Sequence, residues 1–140
     1  MDERFKVLVV DDASFMRGMI RDILGRGPFV IAGEAEDGAE AVRLYRELRP
    51  DLTTLDIVMP QMDGLTALRE IIRLDPSAKV VMCSALGQET LITEAIKAGA
   101  SDFIVKPFHA DRVLKVAQSV LGLDEQYLPL GSPGTGETAR

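Results

Sequence analysis

Short apolar runs alternate five times with stretches in which apolar residues recur every three or four positions. Each run has the length of a β-strand, and the five runs occupy residues 7–10, 29–32, 52–55, 80–83 and 103–105. Because the runs show no regular alternation of apolar and polar residues, both faces of each strand are expected to be buried. The pattern therefore predicts five strands of a sheet that is covered on both sides.

The stretches between the runs carry apolar residues at the spacing of α-helices. The predicted buried faces are Phe15, Met16, Met19, Ile20, Ile23 and Leu24 in the first helix, Leu65, Leu68, Ile71 and Ile72 in the third, Ile92, Ala95 and Ile96 in the fourth, and Val113, Leu114, Ala117, Val120 and Leu121 in the fifth. The second helix, at residues 41–48, has the weakest pattern. Glycine or proline at residues 25–28, 50, 75–76 and 98–99 marks the ends of the first four helices.

A strand followed by a helix, five times over, predicts the α/β class. The expected architecture is a doubly wound five-stranded parallel sheet flanked by five helices, with right-handed crossovers between the strands. The pattern stops after Leu121. Residues 1–122 are therefore predicted to form one domain, and residues 123–140, which are rich in Gly and Pro, are predicted to be a flexible extension.

The charge balance narrows the classes of partner. Sixteen basic and 22 acidic side chains give a formal net charge of −6, which disfavours nucleic acid and anionic membranes as partners. No apolar run approaches the roughly 18 residues that span a bilayer, and the amino terminus lacks the layout of a secretion signal, so a cytoplasmic location is expected. The single cysteine, Cys83, lies in an apolar run and is interpreted as a buried thiol.

Polar side chains follow four of the five predicted strands, at the sheet edge where reactive groups of such folds gather. Asp11 and Asp12 follow the first strand, Asp56 the third, Ser84 the fourth and Lys106 the fifth. Three neighbouring carboxylates repel one another unless they share a cation, and a set of oxygen ligands favours magnesium. The Asp11-Asp12 pair alone is equally consistent with capping of the following helix, but the full set favours a Mg²⁺ site.

A carboxylate in such a pocket can act as a nucleophile toward phosphorus and form an aspartyl phosphate, and Asp56 is the candidate. Magnesium, Lys106, and Ser84 together with the backbone N–H of Ala85 would each neutralise one oxygen of the phosphoryl group. His109, the only histidine, has no acidic partner nearby and is interpreted as a bystander. The histidine that donates the phosphoryl group is therefore expected in another protein.

These residues, in this order and at these spacings, resemble the receiver domains of two-component response regulators over about residues 5–121. The motifs that carry the resemblance are Asp11-Asp12, the segment 55–64 around Asp56, Ser84-Ala85 and Lys106-Pro107. The resemblance implies the flavodoxin-like form of the α/β fold and a cis peptide bond before Pro107.

The resemblance also implies roles for individual residues. The metal ligands it implies are the side chains of Asp11, Asp12 and Asp56 and the backbone carbonyl of Val58. Ser84 and Phe103 would form a conformational switch, with Phe103 as an ordinary core residue as the alternative.

Residues 82–88 and 100–108 further resemble the chemotaxis regulators of this family. This implies a phosphorylation-activated signalling protein that catalyses only its own phosphotransfer and slow autodephosphorylation. The implied partners are a chemotaxis sensor histidine kinase as phosphodonor, the flagellar motor switch protein as target, and a phosphatase. The alternative is a receiver module of a larger two-component regulator whose output domain is absent.

Two apolar positions bear on the chemistry. Val58 stands two residues after Asp56, where phosphatases of the dehalogenase-like class carry a second Asp, so that class is disfavoured. Val58, and Leu86 two residues after Ser84, replace polar side chains that help to orient an attacking water in relatives. Slow self-dephosphorylation is therefore expected.

Overall fold

The computed structural model describes residues 3–123, in which five strands alternate with five helices. The elements in chain order are β1 Phe5–Val10, α1 Ser14–Leu24, β2 Phe29–Ala35, α2 Gly38–Leu48, β3 Leu52–Asp56, α3 Gly64–Leu74, β4 Val80–Ser84, α4 Glu89–Lys97, β5 Asp102–Val105 and α5 Ala110–Val120. All but the first residue of the predicted extension, 123–140, lie outside the described residues. Within residues 3–123, no helix is both long and apolar enough to cross a bilayer.

The strands form one parallel sheet in the order β2-β1-β3-β4-β5. Two apolar cores lie on its opposite faces because successive residues of a strand point to opposite sides. Leu8 and Val10 of β1 belong to the core that contains α2, α3 and α4 residues, whereas Val7 and Val9 belong to the core that contains α1 and α5 residues. The predicted doubly wound α/β sheet with five helices is therefore confirmed.

The helix with the weakest sequence pattern, α2, is well anchored. The side chain of Asp37 caps its first turn by accepting a hydrogen bond from the Glu40 N–H at 2.8 Å. Ala41 and Tyr45 are buried, and the Tyr45 hydroxyl donates to Asp75 Oδ2 at 2.8 Å. Gly38, Ala41 and Tyr45 are the buried residues of this helix, and its low apolar count alone did not indicate this anchoring.

Three residues predicted to lie on buried faces are in fact exposed. Phe15 is 74% exposed, Ile96 43% and Val105 38%. Phe15 lies at the margin of the apolar stripe of α1, in its first turn, whereas Ile96 and Val105 lie on α4 and on the edge strand β5. Periodicity identifies the apolar side of an element, but it does not show how far the neighbouring elements extend over it.

Two glycines fix the loop that follows β3. A Cβ at Gly64 would overlap the carbonyl oxygen of Asp56, and one at Gly38 would overlap the carbonyl oxygen of Met62. The N–H groups of the same glycines donate to Ile57 O at 3.1 Å and to Met62 O at 3.0 Å. Helices α2 and α3 therefore begin in direct backbone contact with this loop, and the contact holds the end of β3 in place.

Candidate functional site

The two central strands bring the predicted acidic residues together. Asp11 follows β1 directly and Asp56 ends β3, and these two strands are neighbours in the sheet. Both side chains are buried, whereas Asp12 is exposed. Carboxylate oxygens of the three residues lie within 4.8 Å of one another, so the sequence prediction of an acidic cluster at this edge is confirmed.

Lys106 enters the same pocket from the far side of β4. Its Nζ lies 2.9 Å from Asp11 Oδ2 and 3.4 Å from Asp56 Oδ2. The backbone N–H of Lys106 donates to Ser84 O at 2.7 Å, and the peptide bond to Pro107 is cis, as the resemblance implied. One ammonium group therefore contacts both buried carboxylates.

The charges in the pocket are unbalanced. Burial and the nearby Asp11 carboxylate raise the pKa of Asp56 to about 6, against the opposing effects of Lys106 and of the Val58 N–H. Burial works to lower the pKa of Lys106, but the hydrogen bond to Asp11 and the charge of Asp56 outweigh it, so this pKa is raised. Lys106 thus stays protonated, and its positive charge contacts two of the three clustered carboxylates.

A divalent cation fits this donor set. Hard carboxylate oxygens that converge from two neighbouring strands, with one exposed member open to water, are the ligands that Mg²⁺ takes in proteins. Asp11, Asp12 and Asp56 are the residues that would hold the ion. The Val58 N–H lies 3.4 Å from Asp56 Oδ1, so the Val58 backbone adjoins the cluster, and its carbonyl stays a predicted ligand.

The alternative reading of Asp11-Asp12 as a helix cap does not describe the structure well. The N-cap of α1 is Ala13, and no side chain caps it. Asp11 Oδ1 instead accepts a hydrogen bond from Ala13 N–H at 3.0 Å, which lies before the helix. The Asp11 carboxylate is therefore oriented within its own loop, and its second oxygen faces Lys106.

Sequence reasoning missed two residues that position this loop. Arg17 Nη1 donates to the carbonyl oxygen of Asp11 at 2.7 Å, and its Nε contacts Glu34 Oε1 at 3.0 Å. Arg21 holds the other oxygen of Glu34 at 2.9 Å, and the two arginines keep the pKa of Glu34 low despite the opposing effect of burial. Glu34 lies two residues beyond the predicted strand 29–32 but within the observed β2, so the predicted strand gave no signal for this contact.

Ser84 and Ala85 end β4 beside Asp56. Ser84 is buried at the last position of the strand, and the Asp56 strand pairs with β4 up to Cys83. The Ala85 N–H, predicted to bind a phosphoryl oxygen, donates to Gln88 Oε1 at 2.8 Å. The loop after β4 therefore supplies a backbone donor at the expected place, but the donor already has an acceptor within the chain.

Phe103 is half-buried and borders a cavity of about 570 Å³ between α4 and β5. Ser84 borders the same cavity, together with Ile92, Ile96 and Val105. The two residues predicted to form the switch thus border the same cavity.

His109 is exposed and forms the N-cap of α5. Cys83 is a buried thiol, as predicted, and burial raises its pKa.

Comparison with known proteins extends this description. Residues 7–118 match the response regulator receiver domain family. The chain is 56% identical over 116 residues to the chemotaxis protein CheY of Bacillus subtilis strain 168, covering 83% of this chain and 97% of that protein.

Solved structures agree with this match. The crystal structure of the CheX-CheY-BeF₃-Mg²⁺ complex from Borrelia burgdorferi matches with a TM-score of 0.80 and 43% identity, over 83% of this chain and 88% of that one. The response regulator domain of Thermotoga maritima CheB matches with a TM-score of 0.80 and 36% identity, over 87% and 99%.

Proposed function

We propose, from the premise that this chain belongs to the response regulator receiver family, that it accepts a phosphoryl group on Asp56 and thereby signals in chemotaxis. The close relation to CheY supports a phosphorylated response regulator in a chemotaxis pathway. The observation that carries the residue assignment is the placement of Lys106 Nζ within 3.4 Å of both Asp11 and Asp56. A nucleophilic carboxylate, a second acid and a fixed cation then share one pocket.

The reaction follows from these groups. A carboxylate oxygen of Asp56 attacks the phosphorus of a phosphohistidine in the partner kinase, the P–O bond forms, and the P–N bond to the histidine breaks. Bound Mg²⁺ would neutralise charge on the phosphoryl oxygens and would favour the ionised form of Asp56. Burial and the Asp11 carboxylate raise the pKa of Asp56 to about 6, and a cation held beside Asp56 would lower it.

The remaining donors are assigned to the other phosphoryl oxygens. Lys106 Nζ, already beside Asp56, binds one oxygen as a charge-assisted donor. The Ser84 hydroxyl and the Ala85 N–H, at the end of the adjacent strand, bind another. Because these donors come from the fourth and fifth strands, the new phosphoryl group ties the loops after β4 and β5 to the end of β3.

The output is proposed to pass through Ser84 and Phe103. When Ser84 turns toward the phosphoryl group, it leaves space at the cavity that Phe103 also borders, and the ring can enter it. The exposed side chains of Ile96 and Val105 flank this region and would bind the target. We assign the flagellar motor switch protein as target, a chemotaxis sensor histidine kinase as donor, a phosphatase as a further partner, and the cytoplasm as the location.

A second candidate is a receiver module that controls a larger regulator. It is favoured by the close match to the response regulator domain of Thermotoga maritima CheB. The two functions differ in their targets, so binding of the phosphorylated chain to flagellar switch protein separates them. Binding that strengthens with BeF₃⁻ and Mg²⁺ supports the motor assignment, and equal binding with and without them contradicts it.

The phosphorylation step is tested with acetyl phosphate and Mg²⁺ by mass spectrometry. The wild-type chain should gain roughly 80 Da, the mass of one PO₃ unit, and Asp56→Asn should gain nothing. Asp22→Asn, which alters an exposed aspartate of α1, is the matched control and should be modified like the wild type. An adduct that persists in Asp56→Asn would refute the assignment of the acceptor.

The lifetime of the phosphoryl group is expected to be long. Val58 and Leu86 are 50% and 81% exposed beside the pocket and cannot hydrogen-bond to an attacking water. Val58→Asn and Leu86→Glu should therefore shorten the lifetime, measured by loss of the adduct after removal of acetyl phosphate. Unchanged lifetimes in both variants would contradict this explanation.

A further inference from the structure

The backbone donor assigned to the phosphoryl group is occupied in the resting chain. Ala85 N–H donates to the side-chain oxygen Oε1 of Gln88 at 2.8 Å. Ala85 directly follows Ser84, whose strand pairs with the strand that ends in Asp56. An N–H group makes one good hydrogen bond at a time. A phosphoryl oxygen on Asp56 and the amide oxygen of Gln88 would therefore compete for the same donor.

The loop that holds Gln88 has room to rearrange. Gly87 has a φ of +89°, and no atom outside residues 86–88 lies within 4 Å of the position that a Cβ would take there. Leu86 is 81% exposed. The loop of residues 85–88 therefore has little packing on its outer side. The hydrogen bond from Ala85 N–H to the Gln88 side chain joins its two ends.

Gln88 is also the residue at which α4 begins. It is the N-cap of α4, and its carbonyl oxygen accepts a hydrogen bond from the Ile92 N–H at 3.1 Å. Its side chain caps no N–H of the helix because it reaches back to Ala85. Release of that side chain would free the first turn of α4, which borders the cavity beside Phe103.

We propose that Gln88 is a positioning residue that holds the Ala85 N–H in the resting state and is displaced by the phosphoryl oxygen. This inference rests on the proposed function, since it requires an anion on Asp56. Exchange of the acceptor couples the chemistry at the end of β3 to the start of α4. It also lowers the affinity of the pocket for the anion, because one hydrogen bond breaks when another forms.

The size of the effect follows from the net contribution of one neutral hydrogen bond. Gln88→Leu removes the acceptor and should tighten the binding of BeF₃⁻, a tetrahedral phosphoryl analogue, about two- to tenfold at saturating Mg²⁺. Gln88→Glu replaces the amide with a charged acceptor that holds the N–H more strongly and repels the anion. That variant should bind BeF₃⁻ at least about threefold more weakly than the wild type.

The test measures BeF₃⁻ affinity by calorimetry on the full chain. Thr90→Leu makes a similar polar-to-apolar change on the first turn of α4, at an exposed site away from Ala85, and should leave the affinity unchanged. The affinity for Mg²⁺ alone should be the same in all these proteins. The amide signal of Ala85 in NMR spectra should shift in Gln88→Leu without any anion. If Gln88 had only a structural role, its replacement would not tighten anion binding.

The outcomes separate this inference from the proposed function. If the wild type fails to bind BeF₃⁻, or binds it equally after Asp56→Asn, the proposed function is wrong. If the wild type binds it through Asp56 but Gln88→Leu binds with equal or weaker affinity, the role of Gln88 is refuted. Equal tightening in Thr90→Leu, or tighter binding by Gln88→Glu, would refute it as well.

Discussion

The buried carboxylate of Asp56 is expected to lower the stability of the metal-free chain at neutral pH, so Asp56→Asn should stabilise it. Burial and the charge of Asp11 raise the pKa of Asp56 from its ordinary value of 3.8 to about 6. The side chain is only 8% exposed, so solvent screens little of this effect. At about 1.4 kcal/mol per pKa unit, the ionised form is penalised by about 3 kcal/mol as an upper limit.

The pH range follows from the sign of the shift. Below about pH 4 both the folded and the unfolded chain hold the proton, and the penalty is absent. Between about pH 4 and 6 the unfolded chain releases the proton first, so the free energy of unfolding falls as the pH rises. Above the folded-state pKa of about 6 the penalty is complete. Asparagine carries no charge at any of these pH values, so the Asp56→Asn variant does not have this penalty.

Not all of this penalty is recovered in the variant. Asp56→Asn also removes the charge that Lys106 contacts at 3.4 Å, although Lys106 keeps its 2.9 Å contact with Asp11. We therefore expect a gain of about 1–3 kcal/mol in the free energy of unfolding at pH 7.5, and about a third of that gain near pH 4.5. Exposed Asp22→Asn should change stability by less than about 0.5 kcal/mol at either pH.

Urea unfolding in EDTA, followed by circular dichroism between pH 4.5 and 8, measures these differences. Added Mg²⁺ should narrow the gap between the wild type and Asp56→Asn, because the ion binds the folded wild type more tightly. A gap that does not change with pH, or an Asp56→Asn chain less stable than the wild type at pH 7.5, would refute the electrostatic account.

Three further predictions concern single contacts. Lys106→Met should slow phosphorylation of Asp56 by acetyl phosphate by about 100-fold, because one charged donor is lost, and a rate within about threefold of the wild type would contradict its role. Gly64→Ala should lower the free energy of urea unfolding by about 1–3 kcal/mol because its Cβ meets the Asp56 carbonyl, whereas Gly18→Ala, which meets only a flexible arginine, should raise it by about 0.5–1 kcal/mol. Thr53→Val should raise it by about 1 kcal/mol, since the Thr53 hydroxyl is buried without a partner, and a loss of stability would show that the hydroxyl is satisfied.

The fold was predictable because the same pattern, an apolar run followed by helical spacing, recurs along the chain. Five apolar runs of strand length are each followed by helical spacing, and glycine or proline ends the first four helices. This pattern leaves little choice beyond a parallel sheet covered on both sides. The acidic cluster followed from it, since residues after parallel strands meet at one edge. Asp11, Asp56 and Lys106 needed only their positions at strand ends to be brought together.

The contacts that sequence reasoning missed depend on loops and side-chain conformations. The bond from Ala85 to Gln88 requires a specific turn through Gly87, and the contact of Arg17 with the Asp11 carbonyl requires α1 to lie beside Glu34. No periodic pattern encodes either one. The exposure of Phe15 was missed for a related reason, since it depends on where the covering elements end.

The order of the strands holds the acidic side of the pocket, at β1 and β3, more firmly than the side of Lys106, at β5. β1 and β3 each have a strand on both sides, whereas β5 has four residues and pairs only with β4. The buried carboxylates therefore belong to strands in the interior of the sheet, and separating such a strand breaks its hydrogen bonds to two neighbours. The ammonium group of Lys106 follows an edge strand, which separates when its hydrogen bonds to one neighbour break. Phosphorylation can therefore change the edge strand β5 while the geometry of the carboxylates that receive the phosphoryl group is preserved.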